Sequence, residues 1–260
     1  MDQQSTRNMG LETGHNFQIF KDIVNSRSHW KWYDTEKKIP ESRLKEVMET
    51  AQRAPSSFNT QPYKVILVRD NEYKLKLAEG MLGDSNKNLV LTADTSAVFL
   101  ADLQVVNNLP KIQQLWRTTT APKDYIDCYI PKGIKVQSLG FSGLKKYIIR
   151  FFAWMLLTVV GFFINAFPEY TPEPAWAFRQ VGFFADHFLL SATAAGYKAA
   201  VMEGVNGPEV LKQLNIPSRY KVFCVIVLGH PNECKTGRRA PSRRFGMKDV
   251  YCRNTFGNAF

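Results

Sequence analysis

The stretch RAPSSFNTQPYKVILV, from Arg53 to Val68, carries the chain out of a helix, through a polar loop and into a strand. Ahead of it, apolar residues recur at helical spacing: Leu44, Val47, Met48, Ala51 and Ala54. Pro55 restricts the residue before it, so we expect this helix to end at Ala54. The run YKVILV is short and β-branched and follows Pro62, a pattern typical of a strand.

The loop between this helix and strand is rich in small and amide-bearing side chains. Its hydroxyl, amide and proline residues are Pro55, Ser56, Ser57, Asn59 and Gln61. Hydroxyls and amides can satisfy the polar rim of a heteroaromatic ring and the hydroxyls of a sugar-alcohol chain. The same residues are also common in an ordinary connection between two elements. The loop alone leaves both interpretations open.

The length and composition favour one globular domain. With 260 residues, 45% of them hydrophobic, the chain can bury a full core. We predict a flexible terminus at 1–16, one domain over 17–260, and a variable hydrophobic insertion at about 104–167. Lysine and arginine outnumber acids 34 to 23, and the net charge of +11 favours a phosphate group, an anionic membrane surface or nucleic acid as partner. No nucleic-acid-binding motif accompanies the charge, so we expect no nucleic-acid partner.

The four cysteines form no C-x-x-C pair and have no histidine at zinc spacing, so we expect free thiols and no metal site. The first twenty residues include Asp2 and Glu12 and contain no apolar run before a small-residue cleavage site. These features favour a cytoplasmic location.

Beyond the loop, predicted helices alternate with buried strands. We predict helices over Phe17 to Ser26, Glu72 to Met81, Ala175 to Ala195 and Gly207 to Leu214, and strands over Ser96 to Leu100 and Val222 to Leu228. The helix from Ala175 is apolar on most faces, which predicts a central, buried position. This alternation is typical of an α/β or α+β sheet protein.

Basic residues cluster on both sides of this pattern. Arg27, Ser28, His29 and Lys31 lie upstream, and Arg243 and Arg244 lie near the other end. Guanidinium groups bind phosphate through two hydrogen bonds, and a serine hydroxyl adds a donor. Each cluster alone is typical of a solvated surface. Together with the loop, they supply what a phosphorylated ring compound requires at its two ends.

Five motifs in order resemble the FMN-dependent nitroreductase family. The first two are R-S-H-x-K-x-Y-D at Arg27 to Asp34 and A-P-S-S-x-N-x-Q-P in the loop before the strand. The other three are Asn86-Lys87, WAFRQ at Trp176 to Gln180, and AAGYKAAVMEG at Ala194 to Gly204. The resemblance implies an α+β fold with a central mixed, mainly antiparallel sheet flanked by helices, and an apolar helical insertion. It also implies a homodimer with FMN at the subunit interface.

The resemblance assigns roles to the candidate site residues. It implies contacts to the FMN phosphate for Arg27, for His29 or Ser28, and for Arg244 or Arg243. It implies contacts to the flavin for Lys31, Asn86, Lys87, Glu203 and Gly204. Contacts to the ring and the ribityl chain are implied for the loop residues, often from the partner subunit: Pro55, Ser56, Ser57, Asn59 and Gln61. The family tail often reads Lys-x-Arg where this chain has Ser242-Arg243-Arg244, so the choice of arginine stays open.

The implied reaction is a ping-pong hydride transfer from NADH or NADPH, through the flavin N5, to a nitroaromatic, quinone or related acceptor. No acid–base pair is expected; Lys31, Glu203 and Gly204 would give electrostatic support.

The apolar block from Tyr147 to Phe167 needs a separate explanation. Phe151 to Ile164 carries no charge, whereas a bilayer span requires about 20 apolar residues. Lys145, Lys146 and Arg150 precede this uncharged run and would suit an anionic membrane surface. A cap over the dimer or the acceptor pocket and a true span are the other interpretations. The alternative function is therefore a membrane-associated flavin-binding protein of the same fold with little or no turnover.

Overall fold

The structure is a computed structural model that describes residues 3–138, 148, 151–152, 155, 173–232, 234 and 242–258. Its helices are α1 (Gln3–Ser26), α2 (Glu41–Ala51), α3 (Asn71–Glu79), α4 (Asp84–Thr92), α5 (Leu109–Arg117), α6 (Ile130–Ser138), α7 (Glu173–Ala194), α8 (Gly207–Gln213) and α9 (Met247–Val250). Its strands are β1 (Tyr63–Val68), β2 (Thr95–Asp102), β3 (Lys198–Met202) and β4 (Tyr220–Gly229). Short 3-10 turns lie at Ser57–Asn59 and Val105–Asn108, and a π turn lies at Tyr125–Tyr129.

The four strands form one sheet in the order β1-β2-β4-β3, and every neighbouring pair is antiparallel. Tyr63 pairs with Ala101, and Lys198 pairs with Gly229. A parallel bridge between His29 and Ala199 extends the sheet beyond β3. The sheet is therefore mixed and mainly antiparallel, and the predicted α+β fold class is confirmed.

The sheet is covered on both faces because successive strand side chains point to opposite sides. Phe99 and Ile226 belong to one core, which also contains the buried faces of α2 and α7. Val98 and Val227 belong to the other core, which contains those of α3, α4 and α8. Burial on both faces explains why β2 is buried at every residue.

The predicted strand Tyr63 to Val68 has the observed bounds of β1, and the predicted central helix is α7. Helix α1 begins at Gln3 rather than at Phe17, so the polar segment ahead of Phe17 is helical. Flexibility of residues 1–16 stays a prediction. Helix α4, strand β3 and the helical turns between Val105 and Ser138 were not predicted.

The segment Tyr147 to Phe167 lies outside the described residues, apart from Ile148, Phe151, Phe152 and Met155. These four side chains are exposed. In the described part of the chain, no helix has the length and apolar character required to cross a membrane.

Candidate functional site

The basic segment after α1 lies at the β3 edge of the sheet and is fixed there by its backbone. The Trp30 N–H donates to the Ala199 carbonyl at 3.0 Å, and the Asp34 N–H donates to the His230 carbonyl at 2.9 Å. The buried ring of Tyr33 packs into the second core. These anchors leave Arg27 and Lys31 half-buried at the edge of the sheet.

A further cation lies at the same corner, which sequence reasoning missed. The Lys198 ammonium lies 5.7 Å from the centre of the Trp30 ring and 3.4 Å from the Ser26 carbonyl oxygen. Lys198 is the first residue of β3. Lys198 lies within the AAGYKAAVMEG motif, but its proximity to the basic segment depends on strand pairing and could not be read from the motif.

Residues at the far end of β3 form a second group. The Leu82 N–H donates to the Gly204 carbonyl at 2.9 Å, and the Asn86 amide donates to the Leu82 carbonyl at 2.9 Å. A Cβ at Gly204 would lie 2.7 Å from the Asn86 Nδ2 atom, so a side chain at position 204 would displace Asn86. The structure thus brings together Gly204 and Asn86, whereas Glu203 and Lys87 are exposed beside them.

The polar loop before β1 is held in an unusual conformation. Phe58, Asn59 and Gln61 have φ angles of 53°, 53° and 43°, which is the left-handed region that residues other than glycine rarely adopt. The Gln61 N–H donates to the Ser56 hydroxyl at 3.0 Å, so this hydroxyl shapes the loop itself. We call Pro55 to Gln61 the cofactor loop, after the role that the family motifs predict for it.

Two side chains from distant parts of the chain anchor the cofactor loop. The Ser57 N–H donates to the buried Gln180 side chain of α7 at 2.8 Å. The Trp116 indole N–H of α5 donates to the Phe58 carbonyl at 3.0 Å. The WAFRQ motif includes Gln180, but its contact with the loop could not be read from sequence. No sequence motif pointed to a contact between Trp116 and the loop.

An apolar cavity of about 320 Å³ lies beside the cofactor loop, between β1, α2 and α7. Its lining includes Gln61, Tyr63, Phe184 and Phe188. The Tyr63 ring stacks on Phe184 with centroids 4.4 Å apart, and burial raises the pKa of Tyr63. The Tyr63 hydroxyl is buried and has no hydrogen-bond partner among the described residues.

The cofactor loop and the basic segment lie at opposite corners of the sheet. Across the sheet, Tyr63 of β1 pairs with Ala101 of β2, which pairs with Lys221 of β4. At the other end, Lys198 of β3 pairs with Gly229, which lies eight residues (229 − 221) further along β4. At about 3.3 Å per residue this offset is about 26 Å along the strands, and three strand intervals add about 14 Å across them. One protomer therefore does not bring the loop within hydrogen-bonding reach of Lys31.

The tail arginines lie on an exposed segment. Every described residue from 242 to 258 is exposed, and the Arg244 guanidinium bonds to the carbonyl oxygens of Ser242 and Arg243, its own neighbours. A phosphate contact from Arg243 or Arg244 stays a prediction. Within the described ranges, no cluster of His, Cys, Asp or Glu side chains is arranged to hold a metal ion.

Half-buried cations border one edge of this α+β sheet, and an amide-rich loop lies at the opposite corner. A family model, described as the Nitroreductase family, matches residues 24–230. The chain belongs to the nitroreductase family and is an oxidoreductase, as the motifs predicted.

Curated relatives support this assignment. The chain is 27% identical over 212 residues to an NADH dehydrogenase of Thermus thermophilus, covering 82% of this chain and 85% of the relative. It is 30% identical over 213 residues to an oxygen-insensitive NADPH nitroreductase of Helicobacter acinonychis, covering 80% and 86%.

Solved structures share the fold. A nitroreductase family protein of Streptococcus pneumoniae has a TM-score of 0.68 at 18% identity, over 90% of this chain and 99% of that one. A protein of Exiguobacterium sibiricum, solved in complex with FMN, has a TM-score of 0.62 at 20% identity, over 89% and 95%.

Proposed function

We propose that this protein is an FMN-dependent oxidoreductase that uses NADH or NADPH to reduce nitroaromatic, quinone or related aromatic acceptors by a ping-pong hydride transfer. The observation that carries the proposal is the β3 edge, where Arg27 and Lys31 lie at one end and Gly204 with Asn86 at the other. Ala199 and Gly204 are five residues apart, which is about 16 Å in a strand. This edge suits an elongated ligand with an anionic end and a polar planar end.

The residues present fit FMN. Arg27 and Ser28 would bind the phosphate, and Lys31 would lie near the pyrimidine edge, with its ammonium favouring negative charge there. A Cβ at position 204 would displace Asn86, and a glycine there would also allow the main chain to approach a ring closely. FMN, when bound, would supply the hydride chemistry.

We propose a homodimer in which each flavin is held by the β3 edge of one subunit and the cofactor loop of its partner. One argument supports it. Within one protomer the cofactor loop and the cations Arg27 and Lys31 lie at opposite corners of the sheet, so a second copy is required to bring them together. A symmetric dimer would create two equivalent sites.

The spectral experiment tests cofactor and reaction together. Purified protein reconstituted with FMN is expected to be yellow and to bleach under anaerobic NADH or NADPH, and an acceptor panel should restore the colour. A protein that binds no FMN would refute the proposal. A protein that binds FMN but bleaches with neither nicotinamide would favour the alternative of a flavin-binding protein without turnover.

A complementation experiment tests the shared site. Arg27→Ala and Asn59→Leu would each damage one half of every site. If the halves come from different subunits, a mixed dimer has one intact site and one doubly damaged site. An equal mixture that exchanges subunits at random should therefore regain about one quarter of the wild-type FMN capacity. No recovery, despite proven subunit exchange, would place both residues in the same protomer's site.

Membrane association is a second proposal, favoured by the exposed side chains of Ile148, Phe151, Phe152 and Met155. Apolar side chains next to basic residues suit the surface of an anionic bilayer. Wild-type protein should sediment with phosphatidylserine vesicles, and the double change Phe151→Asp and Phe152→Asp should abolish this. Equal sedimentation of both proteins would exclude these side chains as the membrane contact and favour a cap.

A further inference from the structure

An aromatic cluster from the region after β2 lies against the cofactor loop. The Trp116 ring meets Tyr125 edge-on at 5.4 Å, and Tyr125 stacks on Tyr129 at 5.3 Å. Tyr129 in turn meets the Phe58 ring edge-on at 6.0 Å. Trp116 also donates its indole hydrogen bond to the Phe58 carbonyl. Phe58 is thus held at both its backbone and its ring.

Gly133 of α6 completes this contact. A Cβ at position 133 would lie 2.6 Å from the Phe58 Cζ atom and 3.0 Å from its Cε2 atom. The Phe58 ring therefore occupies space that only glycine leaves open. Gly133 has an ordinary helical φ, so its backbone conformation does not explain the glycine. The glycine at position 133 is explained instead by the close approach of the Phe58 ring.

The left-handed residues of the loop require such support. A residue other than glycine in this region costs on the order of 1 kcal/mol or more, and it persists only where its surroundings hold it. Gln180 holds the loop at Ser57 from the central helix, and Trp116 holds it at Phe58 from the other side. Phe58 is the first of the three left-handed residues.

We propose that Trp116 and Gly133 are positioning residues that fix the left-handed cofactor loop and thereby set the affinity for FMN. They act through Phe58 and touch no reacting atom. The link to FMN rests on the proposed function. Both residues lie in the predicted variable insertion at about 104–167, so changes at these two positions would tune cofactor binding through Phe58.

Three variants of the full chain test this. Trp116→Phe removes the hydrogen bond and keeps an aromatic ring; Gly133→Ala pushes against Phe58; and Gly133→Ala combined with Phe58→Leu relieves that clash, because leucine lacks the outer ring atoms. The matched controls are Gly182→Ala, a helical glycine whose Cβ would meet the Phe223 Cζ atom at an ordinary 3.8 Å, and Leu115→Ala, an exposed neighbour of Trp116.

Two measurements are made on each variant. Hydrogen exchange of the ligand-free protein follows the loop amides of Ser57, Asn59 and Gln61, each of which donates a hydrogen bond within the described structure. Fluorescence titration of the apoprotein gives the FMN dissociation constant. Trp116→Phe and Gly133→Ala should speed exchange at these amides and weaken FMN binding about three- to tenfold, the range for loss of one hydrogen bond. The double variant should recover in part, because the clash is relieved while the ring contact with Tyr129 is lost. The controls should match wild type.

Loop exchange at the wild-type rate in both Trp116→Phe and Gly133→Ala would overturn the proposal, and so would faster exchange with an unchanged dissociation constant for FMN. A variant that only lowers the melting temperature behaves like a structural residue and counts against positioning. If wild-type protein binds no FMN, the proposed function fails, and the assignment of these residues to cofactor affinity fails with it. The exchange experiment then still decides whether they hold the loop.

Discussion

Substitution of Lys31 by methionine is expected to slow the reduction of bound FMN by NADH or NADPH about 100-fold, the scale found when one preorganised electrostatic donor is removed. Lys31 is half-buried, and its segment is fixed to the sheet edge by the Trp30 and Asp34 backbone hydrogen bonds. Methionine keeps the length of the side chain and removes its charge. The dissociation constant of FMN should change far less than the rate, because Arg27 and the loop remain.

Stopped-flow absorbance of the anaerobic holoenzyme measures this rate. Lys37→Met is the matched control, since Lys37 lies in the same segment, is exposed and forms a surface ion pair with Asp34 at 3.4 Å. This control should be reduced at nearly the wild-type rate. Equal rates for Lys31→Met and wild type would remove Lys31 from the proposed site.

Substitution of Asp94 by asparagine is expected to lower the free energy of unfolding by about 3–5 kcal/mol, the range for breaking a buried ion pair. The Asp94 carboxylate is buried and lies 3.0 Å from the Arg69 guanidinium. It also accepts a hydrogen bond from Thr95 at 2.8 Å. Burial lowers the pKa of the Lys74 ammonium, and the nearby Asp94 carboxylate partly offsets this effect. Asparagine leaves both cations with less compensation.

Urea denaturation monitored by circular dichroism measures the loss, with the slope checked for two-state behaviour. Glu41→Gln is the matched control, because Glu41 pairs with the same Arg69 guanidinium at 2.7 Å from an exposed position. An exposed pair contributes less than about 1 kcal/mol, so this variant should unfold near the wild-type midpoint. If the two variants lost similar amounts of unfolding free energy, the burial of Asp94 would not determine how much its ion pair stabilises the fold.

Elements with a strong local pattern were predicted well. The run YKVILV gives β1 with its observed bounds, and the apolar helix from Ala175 is the buried α7, with ends within two residues. Strand β3, KAAVM, was missed because it is short and contains one β-branched residue, so its pairing with β4 decides its conformation. Helix α1 begins well before Phe17, in a polar segment without an apolar period.

The candidate site was predicted as a set of residues, and the fold sorted that set into groups. Asn86 and Gly204 are 118 residues apart, and their contact depends on α4 packing beside the end of β3. Gln180, Trp116 and Gly133 could not be assigned to the cofactor loop, because each meets it only after distant segments pack. Such contacts carry no signal in a single sequence.

The sequence by itself determined the family, the fold class and the residue types suited to a phosphorylated flavin, because motifs and periodicity are properties of neighbouring residues. The tertiary structure decided which of those residues share a corner of the sheet and what holds the left-handed loop. It also separated the loop from the cations within one protomer, since strand order and register fix distances that no local pattern contains.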